Sequence, residues 1–151
     1  MPNWCRGKLK VRGTKKNLIE FILQGLHPVN YFGDKKEPLK IDENGYITSQ
    51  CECWIEGTTR GFVENLDLYL GDLSEGEQEI IFFDSEFAWG IEATELLETC
   101  KRYSVDMRIY AFESGMGFNQ EIEITDGKIT IDKYIKFDNY QWECPMPDIG
   151  G

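Results

Sequence analysis

Asp84 and Glu86 stand two residues apart in the run Glu79-Ile80-Ile81-Phe82-Phe83-Asp84-Ser85-Glu86-Phe87, so both carboxylates face one side of a strand. Two carboxyl groups can divide acid and base roles when burial pushes their pKa values apart. Placed just before Trp89, they would line a pocket with Glu113 or Arg60. The plainer reading is the polar face of a half-wet sheet. The tryptophans Trp4, Trp54, Trp89 and Trp142 form a recognition surface if they gather on one face, or a small core beneath loops if they do not. The candidate binding residues are Trp54, Arg60, Asp84, Glu86, Trp89 and Glu113. No residue stands out as catalytic.

His27 is the single histidine, and it is expected at a helix C-terminus, where the dipole favours a cation. Pro2 would expose a secondary amine if Met1 were removed, but Asn3 to Gly7 separate it from the expected strand. The five cysteines have irregular spacing, unlike a secreted disulfide framework. Cys51-Glu52-Cys53 would point two sulfurs to one face of a strand, yet structural zinc takes four ligands. Cys5 and Cys144 would complete the set only if the fold joined the termini. Buried free thiols are the simpler expectation, with no metal and no cofactor. No G-x-G-x-x-G, Walker loop, G-x-S-x-G or H-E-x-x-H occurs.

The elements that must position these groups follow from periodicity. Lys8 to Val11 alternates as a strand, Thr14 is a candidate N-cap, and Leu18, Ile19, Ile22, Leu23 and Leu26 recur at helical spacing over roughly 15–25. Residues 28–48 read as a loop or insertion. Tyr46 to Glu56 suits a strand, and 62–73 fits helix or strand. The apolar strand 79–87 precedes a helix over 92–103, a strand over 106–113, and two strands flanking Asp126-Gly127, a strong hairpin signal. This βαββαβ order predicts an α+β fold: a ferredoxin-like split βαβ antiparallel sheet with two helices on one face, extended by a C-terminal β-hairpin. It would occupy residues 1–140 as one domain, with 141–151 as a C-terminal tail.

The chain has 151 residues, 28% of them charged, and a net charge of −11. That is enough chain for one sizeable core. No apolar run approaches a bilayer span and no secretory h-region opens the sequence, so a cytoplasmic protein is expected, with no membrane partner. Residues 1–40 carry nine Lys/Arg against three Asp/Glu, whereas residues 41–151 carry seven against twenty-four. So acidic a chain repels nucleic acid unless its basic end forms a separate face. Aromatics at Phe82, Phe83 and Tyr110 are expected to lack interleaved Lys/Arg, which argues against a single-stranded RNA platform.

Met1-Pro2-Asn3-Trp4-Cys5 leading into a strand resembles the opening of the YubB ferredoxin-like domain family, whose members are carried by phages and conjugative plasmids. Trp54 to Arg60, Phe83 to Trp89 and Tyr110 to Phe118 are similar to further stretches of that family. The likeness touches residues 1–120 outside 28–48, and departs where Gly90-Ile91 follows Trp89 in place of a Pro pair. The resemblance implies a ferredoxin-like fold and a mobile-element setting. It brings no activity.

Three functions follow as expectations. The leading one is a non-enzymatic protein-interaction module that meets a basic surface, in its sharpest form an acidic nucleic-acid mimic occupying a nucleic-acid-binding protein. The second is a small enzyme with a carboxylate- and Trp-lined pocket, which requires a concave site and a strongly perturbed carboxylate. The third is direct nucleic-acid binding through Arg6, Lys8, Lys10, Arg12, Lys15 and Lys16, which requires those residues on one face.

Overall fold

In the computed structural model, which describes residues 1–151, strand β1 (Trp4–Thr14) runs through the middle of the main sheet. Its odd positions Cys5, Leu9 and Val11 are buried and its even positions Arg6, Lys8, Lys10 and Arg12 face outward. Thr14 ends the strand and caps helix α1 (Lys15–Gly25), its Oγ1 accepting the Asn17 N–H at 3.2 Å. The buried helical positions Leu18, Phe21 and Ile22 are those of an amphipathic face. Strand β7 (Gln78–Ala88) lies antiparallel to β1 and leads to α2 (Ala93–Tyr103), which buries Leu96, Cys100 and Tyr103. Phe21 makes edge contacts with Phe83 at 6.2 Å and with Tyr103 at 5.8 Å, tying both helices to one face of the sheet.

The remaining strands are β2 (Leu26–Pro28), β3 (Tyr46–Ser49), β4 (Cys53–Ile55), β5 (Gly61–Val63), β6 (Leu66–Tyr69), β8 (Asp106–Glu113), β9 (Phe118–Thr125) and β10 (Lys128–Lys136). The main sheet has eight strands in the order β10-β9-β8-β1-β7-β5-β4-β2, every pair antiparallel, and β3 and β6 form a separate two-stranded ribbon. The protein is thus α+β, with a large antiparallel sheet. No helix is long and apolar enough to cross a membrane. The Asp126-Gly127 hairpin forms where the sequence places it, both residues holding positive φ (51° and 69°) as a type I′ turn requires. Gly7 is required by close approach, because a Cβ there would meet the Tyr110 carbonyl at 2.5 Å.

Several expectations change. Tyr46 to Glu56 is two strands in two sheets, because Ser49 turns the chain: its hydroxyl donates to the Cys51 carbonyl at 2.9 Å and accepts the Cys51 N–H at 3.2 Å. Cys51 therefore lies off the strand. Residues 62–73 hold β5, β6 and a 3-10 turn over Leu70–Asp72. His27 is in a strand and not at a helix end, since α1 stops at Gly25 and Leu26–Pro28 pairs with β4. Strands are added at both edges of the sheet and not at one. The tail is built into the fold: in the one-turn helix α3 (Tyr140–Glu143) the Tyr140 hydroxyl donates to Asn119 Oδ1 at 2.7 Å, and the Gly151 N–H reaches the Trp4 carbonyl at 2.8 Å.

Candidate functional site

The helix-free face of the main sheet is organised by register. One row across it reads His27, Trp54, Phe62, Glu86, Arg6 and Phe112, each opposite the next. His27 and Trp54 rings lie 5.6 Å apart, Trp4 meets Phe62 edge-on at 6.1 Å, and the Trp54 indole N–H donates to the Thr58 carbonyl at 3.0 Å. The next row pairs Lys8 with Asp84 and Tyr110. Asp84 and Glu86 do share a face, as their spacing requires.

Each of them faces a cation of β1. Glu86 is 5% exposed and takes a bond from Arg6 Nε at 3.0 Å, Asp84 pairs with Lys8, and Arg12 pairs with Asp106 at 2.7 Å. Arg108 bridges to Glu123 and Glu121. Arg6, Lys8, Lys10 and Arg12 of β1 form one row and place Lys8 and Lys10 between the strands of Tyr110 and Phe82, so lysine is interleaved with those aromatics across the sheet, whereas Lys15 and Lys16 open α1 and stand outside the row. Acidic neighbours nonetheless balance that row, and Phe83 points into the core.

One carboxyl on this face is displaced upward. Partial burial, then the hydrogen bond to Glu86 and the charges of Glu86 and Glu64, push Glu52 from 4.5 to about 7. Its alternate-residue spacing from Trp54 was the available signal, but its neighbour Glu86 comes from β7, beyond what local pattern reveals.

Glu113 does not join them. It is fully buried on the helix side of β8, where its carboxylate accepts the N–H groups of Gly115 at 2.6 Å and Met116 at 2.8 Å. This is a turn-closing residue. Nor do the cysteines gather: Cys5 contacts Gln120 and Cys144 contacts Asn119 on β9, while Cys53 lies across the sheet on β4. Burial pushes the thiols of Cys5 and Cys100 up to about 12 and that of Cys53 to about 11, which leaves them protonated and unreactive at neutral pH.

Arg60 and Trp89 meet elsewhere, in a cavity of about 310 Å³ on the rim of the sheet. Its walls include Phe118, Gln120 and Tyr134 from the β9–β10 hairpin and Glu92 and Glu95 at the start of α2. Trp89 has φ 66°, a left-handed conformation that costs a bulky residue about 1–3 kcal/mol. Bonds on both sides impose it. The Trp89 N–H donates to the Asn3 carbonyl at 2.8 Å, and the Gln120 amide clamps the Ile91 backbone with bonds of 2.8 and 3.0 Å. Arg60 lies over the Trp4 ring at 5.6 Å.

A further surface is absent from the sequence-based candidates. In the β3–β6 ribbon, Ile47 and Leu66 face the core while Tyr46, Thr48, Asp67 and Tyr69 face out. The rings of Tyr46 and Tyr69 lie 4.8 Å apart and both are exposed. The segment that carries β6 is of one sign: residues 61–77 hold five Asp/Glu and no Lys/Arg. The exposed members Glu64, Asp67, Asp72, Glu75 and Glu77 follow one another through β6 and the turn into β7.

The chain matches no family model, no curated protein and no solved structure. Its functional reading therefore stands on its own residues.

Proposed function

We propose that this protein is a non-enzymatic binding module that receives a basic segment of another protein on its acidic, tyrosine-centred ribbon. The observation that carries this is the separation of charge. Four of the six basic residues of β1 and the start of α1 have acidic partners within the fold, Lys15 through Glu75 at 3.6 Å, whereas the acids from Glu64 to Glu77 face water with Lys15 as their one close cation. An exposed aromatic pair in a segment carrying five exposed acids suits lysine and arginine, which find charge and a π-face together. Lys-rich DNA- or RNA-handling proteins are the partner class this chemistry favours, acting in a bacterial cytoplasm.

The strand order β8-β1-β7-β5, with a helix after β1 and another after β7, supports reading the sheet centre as a ferredoxin-like split βαβ. With the Met-Pro-Asn-Trp-Cys opening, it supports kinship with the YubB-like proteins of mobile elements. The enzyme reading is less well supported. Its raised carboxyl, Glu52, is not among the residues lining the Arg60 cavity. Direct nucleic-acid binding is disfavoured by the carboxylates that flank β1.

The test is a pull-down from bacterial lysate at low and high salt, comparing the parent with the Asp67→Lys/Asp72→Lys variant. Basic proteins retained by the parent at low salt alone, and lost by the variant, are the expected result. Equal capture by both proteins would overturn the assignment.

A further inference from the structure

We infer that the cavity between the β7–α2 turn and the β9–β10 hairpin is a binding site for a small zwitterion bearing a flat ring, of the free aromatic amino acid type. The cavity, about 310 Å³, has the liquid volume of roughly ten waters, room for one such molecule.

The charges around it select the ligand. Arg60 is the one arginine of five without a carboxylate oxygen within 4.0 Å. Glu95 is turned toward Thr59, its oxygens accepting the Thr59 backbone N–H at 3.0 Å and hydroxyl at 2.6 Å, and it keeps its negative charge at the rim. Gln120 is spent on the Ile91 backbone. Glu92 is exposed and makes no capping bond to α2. One arginine and two carboxylates thus border the same cavity, and neither carboxylate comes within 4.0 Å of Arg60. A purely anionic ligand would face the carboxylates of Glu92 and Glu95, and a purely cationic one would leave Arg60, which otherwise meets only the Trp4 ring, without an anion. A molecule carrying both a carboxylate and an ammonium satisfies both.

The walls select the ring. Trp89 is 62% exposed and Tyr134 59% exposed, and both border the cavity, Tyr134 stacked at 4.6 Å on Phe118, which also lines it. Glycine would occupy the left-handed position at 89 without strain. An indole held there at such exposure adds little to the core. It offers an apolar platform for a planar group.

Isothermal titration calorimetry with L-phenylalanine tests the assignment, with phenethylamine, 3-phenylpropanoate and L-alanine as probes lacking the carboxylate, the ammonium and the ring. L-Phenylalanine is expected to bind saturably and each truncated probe about tenfold more weakly or worse. Arg60→Ala should erase the advantage over phenethylamine, and Glu92→Gln the advantage over 3-phenylpropanoate. Trp89→Gly should abolish binding with Tm unchanged or raised, which separates loss of the platform from loss of the fold. No saturable heat with L-phenylalanine, truncated probes that bind equally well, or variants that bind like the parent would each overturn it. None of these residues belongs to the acidic ribbon, so the result is independent of the pull-down.

Discussion

Glu52 and Glu86 sit side by side on the open face, and their proximity has a measurable consequence. The Glu52 carboxyl titrates near 7 in the folded protein and near 4.5 when free. The folded state therefore holds a proton that the unfolded state has released across that window, so the contribution of this group to stability is full below about 4.5 and is lost as pH rises through 7. Glu52→Gln is expected to flatten this slope and to raise Tm at pH 8 relative to the parent; an unchanged Tm–pH profile between 5 and 8 would contradict it. Glu113 behaves differently. Removing its buried carboxylate takes the acceptor from the N–H groups of Gly115 and Met116, which lie in an exposed turn and can turn to water, so Glu113→Ala should cost about 1–3 kcal/mol in urea unfolding while leaving binding intact. The sequence shows that Asp84 and Glu86 share a face, because period two fixes it. It does not show that Glu113 faces the other way, since that depends on the pairing of β8 with β1. Nor does it show Glu52 beside Glu86, a contact between strands far apart in the chain.

The β1–α1 unit is where local signals and tertiary packing agree. Thr14 caps, Leu18 and Ile22 face inward, and Phe21 joins both helices to Phe83. Phe21→Ala should destabilise by about 3–5 kcal/mol, read by chemical denaturation; a loss below 1 kcal/mol would mean that the helices are not locked through this ring. Hairpin β9–β10 was equally plain, since Asp-Gly supplies the two positive φ values its turn needs. Strand β3 was not. Its four residues merge in sequence with β4, and only the Ser49 hydroxyl bonds reveal the break. His27 likewise reads as a helix end because Leu26 continues the apolar period, yet Leu26 already belongs to the sheet. The tail escapes sequence reasoning because what orders it, Asn119 and the Trp4 carbonyl, lies more than a hundred residues away for one contact and in another sheet element for the other.

Charge separates across the protein into a sheet face where three of the four β1 cations are paired and a β6 segment whose acids have one close cation. The sequence showed the imbalance between residues 1–40 and 41–151, but suggested a basic end free to act. Pairing of Arg6, Lys8 and Arg12 with Glu86, Asp84 and Asp106 removes that freedom and leaves the acids of 64–77 as the main uncompensated charge. Long-range steering by such a surface predicts association that slows as salt shortens the screening length. The most direct measurement is a backbone amide NMR titration with a Lys/Arg-rich peptide at low salt. Shifts are expected to concentrate in residues 42–48 and 64–77, including Tyr46 and Tyr69, and to vanish in high salt and in Asp67→Lys/Asp72→Lys. Shifts centred on the open sheet face around Trp54 and Glu86, or no salt-dependent shifts at all, would contradict it.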